Sequence, residues 1–227
     1  GNGGSASGSA AGAAGSQGTS DLHASIVKGL KDQAVQAARE LLETQDALDV
    51  INSQIIPALD VVGKGFEKGT MFLPQLLMSA EAAKGAFEVI KEKMDASGQK
   101  QEKKGTIILA TVKGDIHDIG KNIVKVLLEN YSYDVLDLGK DVPPETIVET
   151  AVEQHIELVG LSALMTTTVP SMEETIVQLR KAAPWAKVMV GGAVLTQEYA
   201  DTMGADQYCR DAMASVNYAE QVFGLTK

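Results

Sequence analysis

The chain has 227 residues, 44% of them hydrophobic, and a formal net charge of −10 from 20 Lys and Arg against 30 Asp and Glu. That apolar content fills one large or two modest cores, while the acidic balance disfavours a nucleic-acid surface, which needs a basic face. A single cysteine, Cys209, excludes an internal disulfide; with no apolar run of bilayer length and no visible leader, a cytoplasmic protein without membrane or nucleic-acid partners is expected.

Residues 1–20 are almost wholly Gly, Ala and Ser, with no charge and no large apolar side chain. Such a segment buries too little surface to offset its ordering entropy and reads as a flexible linker. From residue 21 to about 97 the apolar positions recur at helical spacing. Ile26, Leu30, Val35, Ala38, Leu41 and Leu42 form one such series, and Ile55, Ile56, Leu59, Val62 and Phe66 a second. Leu76, Leu77, Ala80, Ala83, Phe87 and Ile90 form a third. Breaks fall at 45–49 and 68–70, and Pro57 and Pro74 sit where a helix start tolerates a missing amide proton. A bundle of about four helices is expected over 21–97. The polar stretch 98–104 then links it to a second domain, 105–227.

That second domain alternates strand and helix. Strands are predicted at 106–112, 133–138, 157–162, 187–191 and about 206–209. Helices are predicted at 119–130, 144–155, 170–182, 195–203 and 212–223. Repeated βα units of this length give a parallel sheet covered on both faces, a Rossmann-like or flavodoxin-like α/β domain of five strands.

The first strand hands over to its helix through the run 114–124, Gly-Asp-Ile-His-Asp-Ile-Gly-Lys-Asn-Ile-Val. In open α/β sheets ligands bind at this carboxyl edge. An imidazole there, two residues after a carboxylate, suits a metal ligand whose other ring nitrogen is held by an acid. His117 is the candidate ligand and Asp115 its partner, with Gly114 and Gly120 allowing close approach to the backbone. Ile116 and Asp118, flanking His117, are candidate cofactor contacts, and Asp118 and Lys121 also fit as first-turn residues of the helix. His155 closes a helix and reads as a cap residue. The third strand ends in Gly160-Leu-Ser-Ala-Leu-Met-Thr-Thr-Thr168 and the fourth in Val190-Gly-Gly-Ala193, small side chains that leave a slot. No Gly-x-Gly-x-x-Gly or Walker pattern points to a nucleotide.

The spacing Asp-x-His-x-x-Gly at Asp115, His117 and Gly120, with Ser162/Leu164 and Gly191/Gly192, resembles the cobalamin domain of B12-dependent methionine synthase and related corrinoid methyl-carrier proteins. Residues 65–77, Gly-Phe-Glu-Lys-Gly-Thr-Met-Phe-Leu-Pro-Gln-Leu-Leu, resemble that family's helical cap. The resemblance implies cobalamin, as methylcobalamin in one state, with His117 coordinating cobalt from below. Its nucleotide tail would run past Ser162, Thr166, Gly191 and Gly192 to end near Ala212. Phe66, Leu73 and Leu76 match the cap positions over the upper face. A hydroxyl relaying a proton through Asp115 is also implied; either Thr168 or Ser171 fits.

By the same resemblance, cobalt would cycle between Co(I) and methyl-Co(III), with methyl-donor, methyl-acceptor and reductive-activation partners. The chain would be a carrier, not a catalytically complete enzyme. A methionine synthase module, moving methyl from methyltetrahydrofolate to homocysteine, is the first reading. The second is a corrinoid protein of a methylamine, methanol, betaine or aryl-ether methyltransferase system.

Overall fold

The computed structural model describes residues 21–98 and 102–224, so the Gly/Ala/Ser segment and residues 99–101 of the link lie outside the described residues. The helical region forms α1 (Leu22–Val27), α2 (Lys31–Leu41), α3 (Ala47–Val50), α4 (Ile56–Glu67) and α5 (Leu73–Ser97). A π-helical turn, Ile51–Ile55, joins α3 to α4, so residues 47–67 run as one rod and four rods result. Pro57 explains the widened turn: it offers no amide proton to the preceding turn, and its ring crowds the carbonyl four residues back.

The first predicted helical series is interrupted where periodicity showed no break. Gly29 adopts φ +71, and a Cβ there would stand 2.6 Å from the Cβ of Met78. The chain turns at that point because α5 presses against it, a tertiary cause that leaves no mark on local spacing.

The α/β region follows the expected alternation, each boundary within about two residues. Its elements are β1 (Thr106–Thr111), α6 (Ile119–Asn130), β2 (Asp134–Asp137), α7 (Pro144–Glu153), β3 (Leu158–Ser162), α8 (Val169–Ala182), β4 (Lys187–Gly191), α9 (Gln197–Thr202), β5 (Gln207–Tyr208) and α10 (Ala212–Val222). All four ladders are parallel, in the order β2-β1-β3-β4-β5. The chain leaves β1 outward to β2 and returns to β3, so the topological switch lies between β1 and β3, the place where open α/β sheets form their ligand crevice at the carboxyl edge.

Side chains alternate across the sheet with period two. Ile107, Leu109, Leu158 and Met189 belong to one core with α6, α10 and the N-terminal helices. Ile108, Ala110, Val159, Leu161, Val188 and Val190 belong to the other, under α7, α8 and α9. The helical region thus packs as a further layer beyond α6 and α10. Across that seam Tyr131 Oη donates to Asp60 at 2.9 Å, Asn217 Nδ2 to Glu67 at 2.9 Å, and Asn130 Nδ2 to the Ala80 carbonyl at 3.2 Å. Gly63 makes room for the thioether of Met213. No described helix is long and apolar enough to cross a membrane.

Candidate functional site

Asp115 anchors the crevice. Its side chain is fully buried, yet every donor around it is aimed at the carboxylate. Oδ1 accepts from the backbone N–H of His117 at 3.0 Å and faces His117 Nδ1 at 2.9 Å. Oδ2 accepts from the N–H groups of Leu164 (2.7 Å) and Met165 (3.2 Å), and from the Thr168 hydroxyl at 2.8 Å. Burial by itself would raise the carboxyl pKa. The hydrogen bonds from His117, Leu164 and Thr168 overcome it and hold the group well below the usual carboxylate range. An ionised carboxylate is an acceptor only, so Nδ1 carries the proton between them, and Nε2 is the nitrogen left to offer a lone pair to a metal.

Nε2 has no hydrogen-bond partner among the described residues, and the His117 side chain is 45% exposed. Around it stand apolar side chains that a soluble surface ordinarily hides: Ile116 (62% exposed), Ile119 (75%) and Leu164. A Cβ on Gly120 would meet nothing within 4 Å. Among the described residues no three His, Cys, Asp or Glu side chains converge to hold an ion. One free imidazole nitrogen in an apolar setting does not retain a bare metal. It suits a metal that brings its other ligands in a broad apolar ring, and cobalamin meets that description.

The remaining predicted residues fall along the same edge, in strand order. Gly114, with φ +86, opens the β1–α6 loop, and Asp118 precedes α6 without a side-chain capping bond. Ser162 ends β3 with its hydroxyl 2.8 Å from that of Thr111, and Thr166 begins a short 3-10 turn, Thr166–Thr168. Gly191 ends β4, and Ala212 opens α10 after β5. Three strand spacings separate β1 from β5, roughly 14 Å, so the residues form a line and not a cluster. Gly192 has a structural duty: at φ +138, a Cβ would lie 1.8 Å from the Ala163 carbonyl oxygen. It is glycine because the two strand-end loops touch there.

Of the two candidate hydroxyls, Thr168 reaches Asp115. The recorded bond at Ser171 is its carbonyl accepting from Thr175 within α8. Lys121 is no simple first-turn residue. It is buried, with Nζ 2.6 Å from Asp137 Oδ1 and 2.9 Å from Asn122 Oδ1. On the helical side Leu76 is 1% exposed and belongs to the core. Leu73 is exposed and Phe66 packs partly buried against that core. Phe72, which sequence reasoning passed over, is 70% exposed beside Leu73. The signal for it was present: a bulky aromatic just ahead of a helix-opening Leu-Pro.

Two groups outside the edge have plain roles. His155 adopts φ +49 after α7 and stacks on Trp185 with centroids 4.3 Å apart, so it terminates a helix as its position suggested. Cys209 is buried, and burial pushes its thiol up to about 11.

Residues 105–222 match the family model described as B12 binding domain, and residues 20–91 match a second model of the same description. The chain is 37% identical over 204 residues to dimethylamine corrinoid protein 2 of Methanosarcina acetivorans, covering 89% of this chain and 94% of the relative. It is 41% identical over 196 residues to trimethylamine corrinoid protein 2 of the same organism, covering 85% and 90%. Among solved structures it resembles the methanol:cobalamin methyltransferase complex of Methanosarcina barkeri, with TM-score 0.78, 29% identity, and 91% of this chain and 80% of that one covered. A cobalamin-binding protein from Desulfitobacterium hafniense superposes with TM-score 0.75 at 28% identity, covering 90% and 98%.

Proposed function

The chain belongs to the B12-binding family and takes cobalamin as its cofactor, and from that premise we propose that it carries methyl groups for a methyltransferase acting on methylamines or methanol. The relatives at 37% and 41% identity are dimethylamine and trimethylamine corrinoid proteins, and the methanol system supplies a structural match. The methionine synthase reading finds no such support, so the second reading takes its place.

The observation that carries the proposal is the His117 ring, with Nδ1 fixed by Asp115 and Nε2 free at an apolar crevice. Bound cobalamin supplies the cobalt that accepts and gives up the methyl group. His117 would hold the cobalt through Nε2, with Asp115 fixing the tautomer of the ring and raising its basicity. Thr168 is the hydroxyl of the relay: its oxygen lies 2.8 Å from Asp115 Oδ2 and 2.9 Å from the Met165 carbonyl, two acceptors for one proton. The hydroxyl can therefore turn between them as the carboxyl gains or loses a proton. Ile116, Ile119 and Leu164, all exposed beside His117, would offer the cofactor apolar contact. Phe72 and Leu73 are exposed apolar side chains on the helical side that would be available to it.

The test is the EPR spectrum of the cobalamin-loaded protein in its Co(II) state, with natural and nitrogen-15 histidine. Splittings that change on labelling and vanish in His117→Ala are expected. Splittings that ignore the label would remove His117 as the ligand. Mixing the reduced protein with a partner methyltransferase and dimethylamine, trimethylamine or methanol then assigns the donor.

A further inference from the structure

The segment after β2 reaches back to the His117 loop, and its geometry is costly enough to require a reason. β1 and β2 pair regularly as far as Leu109↔Asp137, and the next bridge is Val112↔Val142. Three steps along β1 therefore face five along its neighbour, so two extra residues are accommodated. Thr111 N–H donates to the Gly139 carbonyl at 2.9 Å, and Val142 N–H donates to the Thr111 carbonyl at 3.1 Å. Lys140 and Asp141 bulge out between them. Gly139 takes φ +93 and Asp141 φ +52, the latter a left-handed conformation that a non-glycine residue adopts at a cost of order 1 kcal/mol or more. Bulges of this kind re-aim a side chain and favour the surroundings of functional sites.

What the bulge accomplishes is a two-way clamp. The Asp141 carboxylate accepts from Gly114 N–H at 2.7 Å, and Asp141 N–H donates to the Asp115 carbonyl at 2.9 Å. Asp115 is thereby held at its main chain by Asp141, and at its carboxylate by His117, Leu164, Met165 and Thr168. The bulge is braced from behind, because Asp137 Oδ1 accepts both Gly139 N–H at 2.9 Å and the buried Lys121 Nζ at 2.6 Å. A continuous set of bonds thus runs from the first turn of α6, through the end of β2, to the backbone beneath the imidazole.

We propose that Asp141 is a positioning residue for the His117 ligand, setting through Gly114 and Asp115 how much of the bound cofactor is His117-ligated. This rests on the cobalamin reading above. Three substitutions separate its parts. Asp141→Asn keeps an acceptor oxygen and tolerates the left-handed backbone; Asp141→Gly keeps only the backbone freedom; Asp141→Ala keeps neither.

The readout is the ratio of His-ligated to His-free cofactor in the Co(II) EPR spectrum, alongside thermal melting of each cofactor-free variant. Asp141→Asn is expected to match the wild-type ratio. Asp141→Gly and Asp141→Ala are expected to lower it about tenfold while still binding cobalamin, with cofactor-free Asp141→Gly melting close to wild type. Wild-type ratios in the Gly and Ala variants would overturn the proposal, as would a loss in Asp141→Asn equal to that in Asp141→Ala. Absence of His117 ligation in the wild type would instead strike the reading of His117 as the cobalt ligand, and this inference with it. The two failures are told apart by which protein shows them.

Discussion

Replacing Thr168 by valine isolates one hydrogen bond without opening a cavity, because a methyl takes the place of the hydroxyl. Thr168 is 4% exposed, and its hydroxyl gives Asp115 Oδ2 a bond of 2.8 Å. A hydrogen bond to an ionised group contributes about 1.5–3 kcal/mol, and no water can substitute at that depth. The residue makes no side-chain capping bond at the start of α8, so no helix-end loss adds to the figure. For a chain of this size each kcal/mol moves Tm by about 2–4 °C, which puts the expected drop at roughly 3–12 °C. Thermal unfolding of the cofactor-free protein at pH 7 measures the drop and urea unfolding the free energy behind it, with Ser171→Ala as control. The control is expected within about 0.5 kcal/mol of wild type. A Thr168→Val protein as stable as wild type, beside a destabilised Ser171→Ala, would refute the assignment of the hydroxyl.

The two glycine readings separate cleanly. Gly192→Ala, whose Cβ would collide with the Ala163 carbonyl, is expected to lose about 3 kcal/mol or more in urea unfolding, or to fail to accumulate as soluble protein. Gly120→Ala meets open space within a helix and is expected to be neutral or to stabilise by up to about 1 kcal/mol. Its cobalamin affinity should nevertheless fall severalfold in a titration, and unchanged affinity would take Gly120 out of the cofactor-binding set. Asp115 predicts an acid limb to stability. Its folded pKa is depressed, so the unfolded chain binds more protons in acid and stability rises with pH through that window. The contribution is complete above the ordinary carboxylate value of about 4 and is lost as pH falls toward the depressed one. Asp115→Asn should flatten the slope of unfolding free energy against pH between about 5 and 3, leaving the smaller slope of Asp137, whose carboxyl is also lowered.

Elements governed by local periodicity were legible in the residues themselves. The strand–helix alternation, the His117 loop at a strand end and the pairing of Asp115 with the imidazole all follow from near neighbours in sequence. What local spacing did not carry are features made by distant pairing. Asp141 matters because β2 lies beside β1 in the sheet, and strand order is not written in any one segment. Lys121 reads as an exposed helix residue until Asp137, sixteen residues on, is brought under it. That Leu76 is buried while Phe72 is exposed was not legible either, because helical periodicity places a residue on a face but does not say which neighbour covers that face. The break at Gly29 belongs to the same class, since Met78 makes it.

The core that joins α6 and α10 to the N-terminal helices has a consequence for dissection. A chain cut between Ser97 and Lys104 would have two fragments, neither with a finished interior. The α/β fragment would expose the Met213 side chain that Gly63 accommodates, and Asn130 would lose its partner on α5. The helical fragment would bare the side of α5 that packs against α6. Such a pair should melt as one cooperative unit, with a single heat-absorption peak for the intact protein in place of two. The polar link at 98–104 divides the sequence, but the interior runs across it without interruption.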